Sequence, residues 1–129
     1  MGKYANPLIM DNGLNHIKNQ TTRLVGCQGQ PLTYADASSA VPTGNLLGDL
    51  GSMTVNDFVV SDDPGGGRRV TILTQVLLMT YAGSFDHLAL IDDTNSQLLY
   101  TLPVTAAQTV VGGNTVTTPD VDITIANPI

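Results

Sequence analysis

Ser84, Asp86 and His87 are close neighbours of the types a nucleophile, an orienting carboxylate and a base require. Their spacing argues against that use. The segment reads as a strand, in which successive side chains point to opposite faces, so Asp86 is not expected to orient His87. Ser84 falls in a turn. A Cys–His pair built from Cys27 and His16 rests on composition alone. Cys27 is the one cysteine, so no intramolecular disulfide forms, and it is expected as a reduced, small apolar residue. Asp62-Asp63, Asp92-Asp93-Thr94-Asn95 and Asp120-x-Asp122 offer the oxygen ligands that calcium prefers. An EF-hand loop also needs a glycine and a distal bidentate Glu, and this chain has no Glu. Aspartate caps turns as well, which is the plainer use of these positions. Two His and one Cys, unclustered, do not suit zinc. Gly65-Gly66-Gly67-Arg68-Arg69 resembles an anion nest, but a phosphate loop wants a Lys and a Ser or Thr opening a helix, and this run opens a strand. It reads as a hairpin loop. Arg68 and Arg69 then become candidates for pairing with a partner's carboxylates. No catalytic residue, no cofactor and no metal is expected, and the chain is read as a non-enzyme.

The rest of the composition says what could position such groups. At 129 residues and 13.5 kDa the chain is one domain. Apolar residues make up 42% and charged residues only 12%, about half the usual charged share. A net charge of -6 with pI near 4.3 lacks the basic footprint that nucleic acid demands. No apolar run has the length of a signal peptide or a membrane span, so synthesis in a cytosol and no membrane partner are expected. Thr, Val and Ile total 35, all β-branched and suited to a pleated surface, while Glu is missing and Lys numbers two. That is an all-β profile. Thr, Asn, Gln and Ser total 37 and form a weakly charged polar surface of the kind that meets other protein. Charge is also uneven: Lys3, Lys18 and Arg23 against Asp11 give residues 1–23 a sum of +2, and residues 24–129 sum to -8.

Periodicity places the elements. Met10, Leu14 and Ile17 fall on one helical face, so a short helix is expected near 12–19, capped by Asp11 or Asn12 and weakened by Gly13. Residues 21–28 read as a strand. Thr33 and Asp36 resemble a capping box, giving a turn or two of helix over 33–39. Residues 38–51, with Pro42, Gly44, Gly48 and Gly51, read as an irregular loop. Met53, Val55 and Phe58-Val59-Val60 suggest one or two strands. Residues 68–81 form one long strand pattern with apolar residues on both faces, which implies a bend between sheets or cover on both sides. Residues 86–92 and 98–105 follow, with Pro103 marking an edge or bulge. Gly112-Gly113-Asn114 is a tight-turn signal between residues 109–111 and 115–117. Val121, Ile123 and Ile125 alternate with polar residues as a half-buried strand. About seven strands result. The expectation is a single β-sandwich or jelly-roll-like domain over 21–129, with a partly helical N-terminal arm over 1–20.

Four segments carry a resemblance: Ala5-Asn6-Pro7-Leu8-Ile9-Met10-Asp11-Asn12-Gly13-Leu14-Asn15-His16; Gly66-Gly67-Arg68-Arg69-Val70-Thr71; Gly83-Ser84-Phe85-Asp86-His87-Leu88-Ala89-Leu90-Ile91-Asp92; and Gly113-Asn114-Thr115-Val116 together with Asp122-Ile123-Thr124-Ile125-Ala126. With them the chain resembles small virion structural proteins of tailed bacteriophages, of the kind that decorate or cement an icosahedral head. The resemblance implies a capsid decoration protein on the outer surface of the virion. Its partner would be the major capsid protein, and it would assemble as a homo-oligomer, a trimer being one form. A tail- or fibre-associated β module that binds a receptor or glycan is the alternative. Few exposed aromatics are available for glycan binding, with four Tyr and two Phe in all. The expected contact residues are Leu8, Ile9, Met10, Leu14 and Ile17 of the arm, with Arg68 and Arg69 of the loop.

Overall fold

The computed structural model describes residues 4–5, 13–62, 64 and 68–125. The chain is all-β, built of curled antiparallel sheets in a half-barrel with few helices. Its strands are β1 (Tyr4–Ala5), β2 (Arg23–Cys27), β3 (Leu46–Leu50), β4 (Phe58–Asp62), β5 (Arg68–Ile72), β6 (Gln75–Met79), β7 (Gly83–Asp92), β8 (Gln97–Val110), β9 (Thr115–Thr118) and β10 (Val121–Ile125). Helix α1 spans Leu14–Gln20 and α2 spans Tyr34–Ser38. The described residues thus hold ten strands where the sequence pattern gave about seven. Seven form one sheet in the order β1-β8-β7-β2-β3-β6-β9, and three form another in the order β10-β5-β4.

One core joins the two sheets. Leu24, Leu47, Leu77, Met79, Phe85, Leu90 and Leu99 of the larger sheet share a buried cluster with Phe58, Val70, Ile72 and Ile123 of the smaller. Leu14 and Ile17 of α1 belong to the same cluster. On the opposite face of the larger sheet, α2 brings Ala37 and Tyr34 over Val25, Cys27, Ala89, Ile91 and Leu98. The sheet is therefore covered on both sides at its centre, and its strands there carry near-continuous apolar runs.

Local chemistry explains most element ends. Gly13 enters α1 at φ 71, a left-handed conformation that glycine adopts without strain, so the residue that seemed to weaken this helix is the one that opens it. Thr21 closes α1 by donating from both its N–H (3.2 Å) and its Oγ1 (2.7 Å) to the Ile17 carbonyl. The Thr33 hydroxyl accepts from the Asp36 N–H at 3.1 Å, as the capping pattern predicts, and opens α2. The expected strand at Met53 and Val55 is a 3-10 turn over Val55–Asp57, because the Asp57 carboxylate reaches back to the Thr54 N–H at 2.8 Å.

Three expectations need correction. Residues 38–51 are not loop throughout: β3 lies within them, pairing with β2 and β6. Gly48, read as a breaker, permits this pairing, since a Cβ there would sit 2.6 Å from the Met79 Cα and closer still to the Leu78 carbonyl oxygen. Residues 68–81 are two strands, β5 and β6, in different sheets, and the apolar pattern on both faces reflects that bend. Finally, the turn over 111–114 forms, with the Asn114 N–H donating to the Val111 carbonyl at 3.2 Å, yet its arms do not pair with each other. β9 pairs with β6, and β8, which runs through both segments read at 98–105 and 109–111, pairs with β7.

Candidate functional site

Of the residues expected to meet a partner, Leu8, Ile9 and Met10 lie outside the described residues. Leu14 and Ile17 are buried, at 6% and 0% exposure, in the chain's own core. They therefore anchor α1 to β4 and β5 and present no face to a partner. An apolar i, i+3 pair is as good a core stripe as a docking stripe, and sequence periodicity does not separate the two. Arg68 and Arg69 stand on the smaller sheet, and both are engaged within the chain. Arg68 pairs with Asp62 across the β4–β5 ladder at 2.5 Å. Arg69 pairs with Asp122 at 3.4 Å, and Asp122 also accepts from the Thr71 hydroxyl at 2.6 Å. These exposed pairs hold β5 between its neighbours, and each contributes ~0–1 kcal/mol.

The Ser84–Asp86–His87 neighbourhood is rearranged. Asp86 and His87 do touch, contrary to the alternation argument: Nδ1 of His87 lies 2.8 Å from Oδ1 of Asp86. The pairing of β7 with β8 shifts register between Phe85 and His87, and this bulge breaks the regular alternation of faces. Pro103 is the partner of His87 at that bulge, as its position suggested. Oδ1 of Asp86 also accepts from the Gly29 N–H at 2.6 Å, so the carboxylate ties β7 to the end of β2. Nε2 of His87 is buried and has no hydrogen-bond partner among the described residues. His87 is 1% exposed and stands opposite Cys27 in the β2–β7 register. Burial, with the Asp86 charge, pushes the Cys27 thiol up to about 12. A thiol so held stays protonated at neutral pH and is no nucleophile. Through Asp86 and the His87–Cys27 register pair, the cluster joins β7 to β2.

A second polar cluster fastens α2 to the sheet. Arg23 donates to Asp49 at 3.0 Å and to Asp93 at 2.9 Å. Asp93 further accepts from the hydroxyls of Tyr34 at 2.7 Å and Thr22 at 3.0 Å. Burial lowers the Arg23 pKa, but hydrogen bonds and charge from Asp93 and Asp49 outweigh it, so the net shift is upward. Burial raises Asp93, and the bonds from Arg23, Tyr34 and Thr22 more than offset it, holding the carboxyl below the usual range. The Tyr34 hydroxyl, donating to Asp93, is raised. The aspartates read as calcium candidates are used likewise: Asp92 accepts from the N–H groups of Thr94 (2.9 Å) and Asn95 (3.3 Å), and Asp120 from that of Thr74 at 2.8 Å. Among the described residues no three His, Cys, Asp or Glu side chains come together as a metal site. No helix among them is long and apolar enough to cross a membrane.

What remains open is surface. Val76 and Leu78 point outward from β6 at 50% and 55% exposure, with Tyr81 just past its end and Val111 at the adjoining turn also exposed. The sequence pattern allowed for cover on this face; the described residues supply none at these positions. Between β8 and the β9–β10 segment lies a cleft of about 470 Å³, floored by Phe85, Leu88 and Val116 and walled by Leu102, Val104 and Val121. The cleft exists because the arms of the 111–114 turn diverge, which no local signal in residues 109–117 records. No protein-family model, curated protein or solved structure matches the chain.

Proposed function

We propose that the chain is a virion structural protein, a capsid decoration protein that binds the outer surface of an icosahedral phage head and bridges major capsid protein subunits. The observation that carries the reading is the exposure of Val76 and Leu78 on β6, with Tyr81 just past its end and Val111 at the adjoining turn, among the large apolar side chains that the described residues leave open. Such a face contributes about 25 cal/mol for each Å² of apolar surface it buries against a partner. The resemblance of the four quoted segments names the partner. The two sheets sharing one core are read as an open sandwich whose rigidity suits a clamp. Binding to assembled subunits stabilises the shell by mass action, and no bond-making step is assigned to any residue. Contact by the leader, with Leu8, Ile9 and Met10, belongs to the same proposal.

Sedimentation of purified protein with undecorated heads tests it. Co-sedimentation at a fixed ratio to the major capsid protein is expected. Failure to bind heads overturns the reading, and binding confined to tails or cells replaces it with a tail or fibre role.

A further inference from the structure

From its sheet edge we infer that β8 is a two-fold contact, at which a second copy of this chain adds its own β8 antiparallel to the first. β1 covers β8 only at Tyr100 and Thr101. From Leu102 to Val110, no described strand is hydrogen-bonded to that edge. The β7 ladder also skips a stretch, since Phe85 pairs with Gln108 and His87 with Pro103. Residues 104–107 therefore have no ladder partner on either side among the described residues, and the side chains of residues 105–109 are exposed. Val104, Thr105, Ala106 and Gln108 also line the cleft, across from residues 117–122.

Unpaired strand edges select another strand, and natural chains blunt them with charge. This edge carries none. Residues 94–119 contain no charged side chain, in a chain of net charge -6. Two such acidic molecules meet here without setting carboxylate against carboxylate along the strand.

The sequence itself names the second copy as occupant. Val104-Thr105-Ala106-Ala107-Gln108-Thr109-Val110 is close to a palindrome about Ala107. An antiparallel pair centred there sets Val104 opposite the second copy's Val110, Thr105 opposite its Thr109, and Ala106 opposite its Gln108. That self-complementarity is what an isologous two-fold interface requires. Thr–Thr and Val–Val are favourable cross-strand pairs, and the small alanines let the two backbones approach. A two-fold contact closes on itself, so the product is a dimer and not a fibre. The inference stands apart from the capsid reading, because the dimer forms between free molecules.

Sedimentation equilibrium of the full chain is the test. The mass should rise with concentration from 13.5 kDa toward twice that value. Ala107→Lys and Ala107→Asp each set like charges against themselves and should weaken the dimer at least ~10-fold. An equimolar mixture of the two variants should restore it, a result peculiar to a residue that faces its own copy. Val76→Lys, on the outer apolar face, should leave dimerisation unchanged. In the wild type, amide exchange at residues 104–107 should slow as concentration rises. A wild type that stays at 13.5 kDa up to roughly 1 mM overturns the inference. So does loss of the dimer in Val76→Lys alone, a mixture that stays monomeric, or exchange at 104–107 that ignores concentration.

Discussion

Replacing Ile17 by alanine separates two roles for the N-terminal helix. If α1 were part of a free arm, Ile17 would be exposed before docking, and its truncation would change binding without changing stability. The fold instead buries Ile17 completely, in a cluster with Phe58, Val70 and Ile72. Truncating a fully buried branched side chain costs about 2–5 kcal/mol, partly as lost transfer energy and partly as the cavity left behind. With a middle value of about 3 kcal/mol and an m-value near 2 kcal/mol/M, the urea midpoint should fall by ~1.5 M at unchanged slope. The corresponding drop in melting temperature is about 10–15 °C for a domain of this size. Against a total stability of about 5–15 kcal/mol that is a large fraction, so the variant will be strained but measurable. Equilibrium urea unfolding of wild type and Ile17→Ala, followed by circular dichroism, gives the number directly. A difference below ~0.5 kcal/mol, the range of ordinary surface changes, would refute the core assignment and return α1 to the arm. The same logic bounds a truncation meant to spare α1: it should stop before Gly13.

Three other outcomes follow from the geometry. Gly48→Ala should destabilise by about 1–3 kcal/mol, read in the same unfolding assay, because its new methyl meets β6 backbone that has no room to retreat. Asp93 has a lower pKa folded than unfolded, so its stabilisation is present above the ordinary carboxylate range and fades as pH falls through it. Thermal unfolding across acidic pH should therefore fall less steeply for Asp93→Asn than for wild type, and parallel profiles would contradict the Arg23–Asp93 assignment. Native protein should resist thiol labelling at pH 8 and react fully in guanidinium chloride, since burial holds Cys27 protonated near a pKa of 12. Rapid labelling of the folded chain would show that β2 opens there.

Some of this molecule was written locally. The β-branched composition and the missing Glu dictated an all-β chain, because those side chains favour a pleated surface wherever they sit. Thr33 with Asp36, Pro103, and the glycines at 112 and 113 marked a cap, a bulge and a turn, since each acts through backbone within a few residues. Other features had no local cause. Gly48 signals a loop until β6 arrives beside it, and only then becomes the space that close pairing needs. Ile17 and Val76 are apolar residues of the same kind; one meets the smaller sheet and the other meets solvent, and only the placement of distant strands tells them apart. Asp86 reaches His87 because β7 and β8 slip register, which is decided between strands and not within either. The open edge of β8 and the cleft beside it depend on which strand claims β9. Periodicity fixes which residues seek cover, and tertiary contact decides where that cover is found.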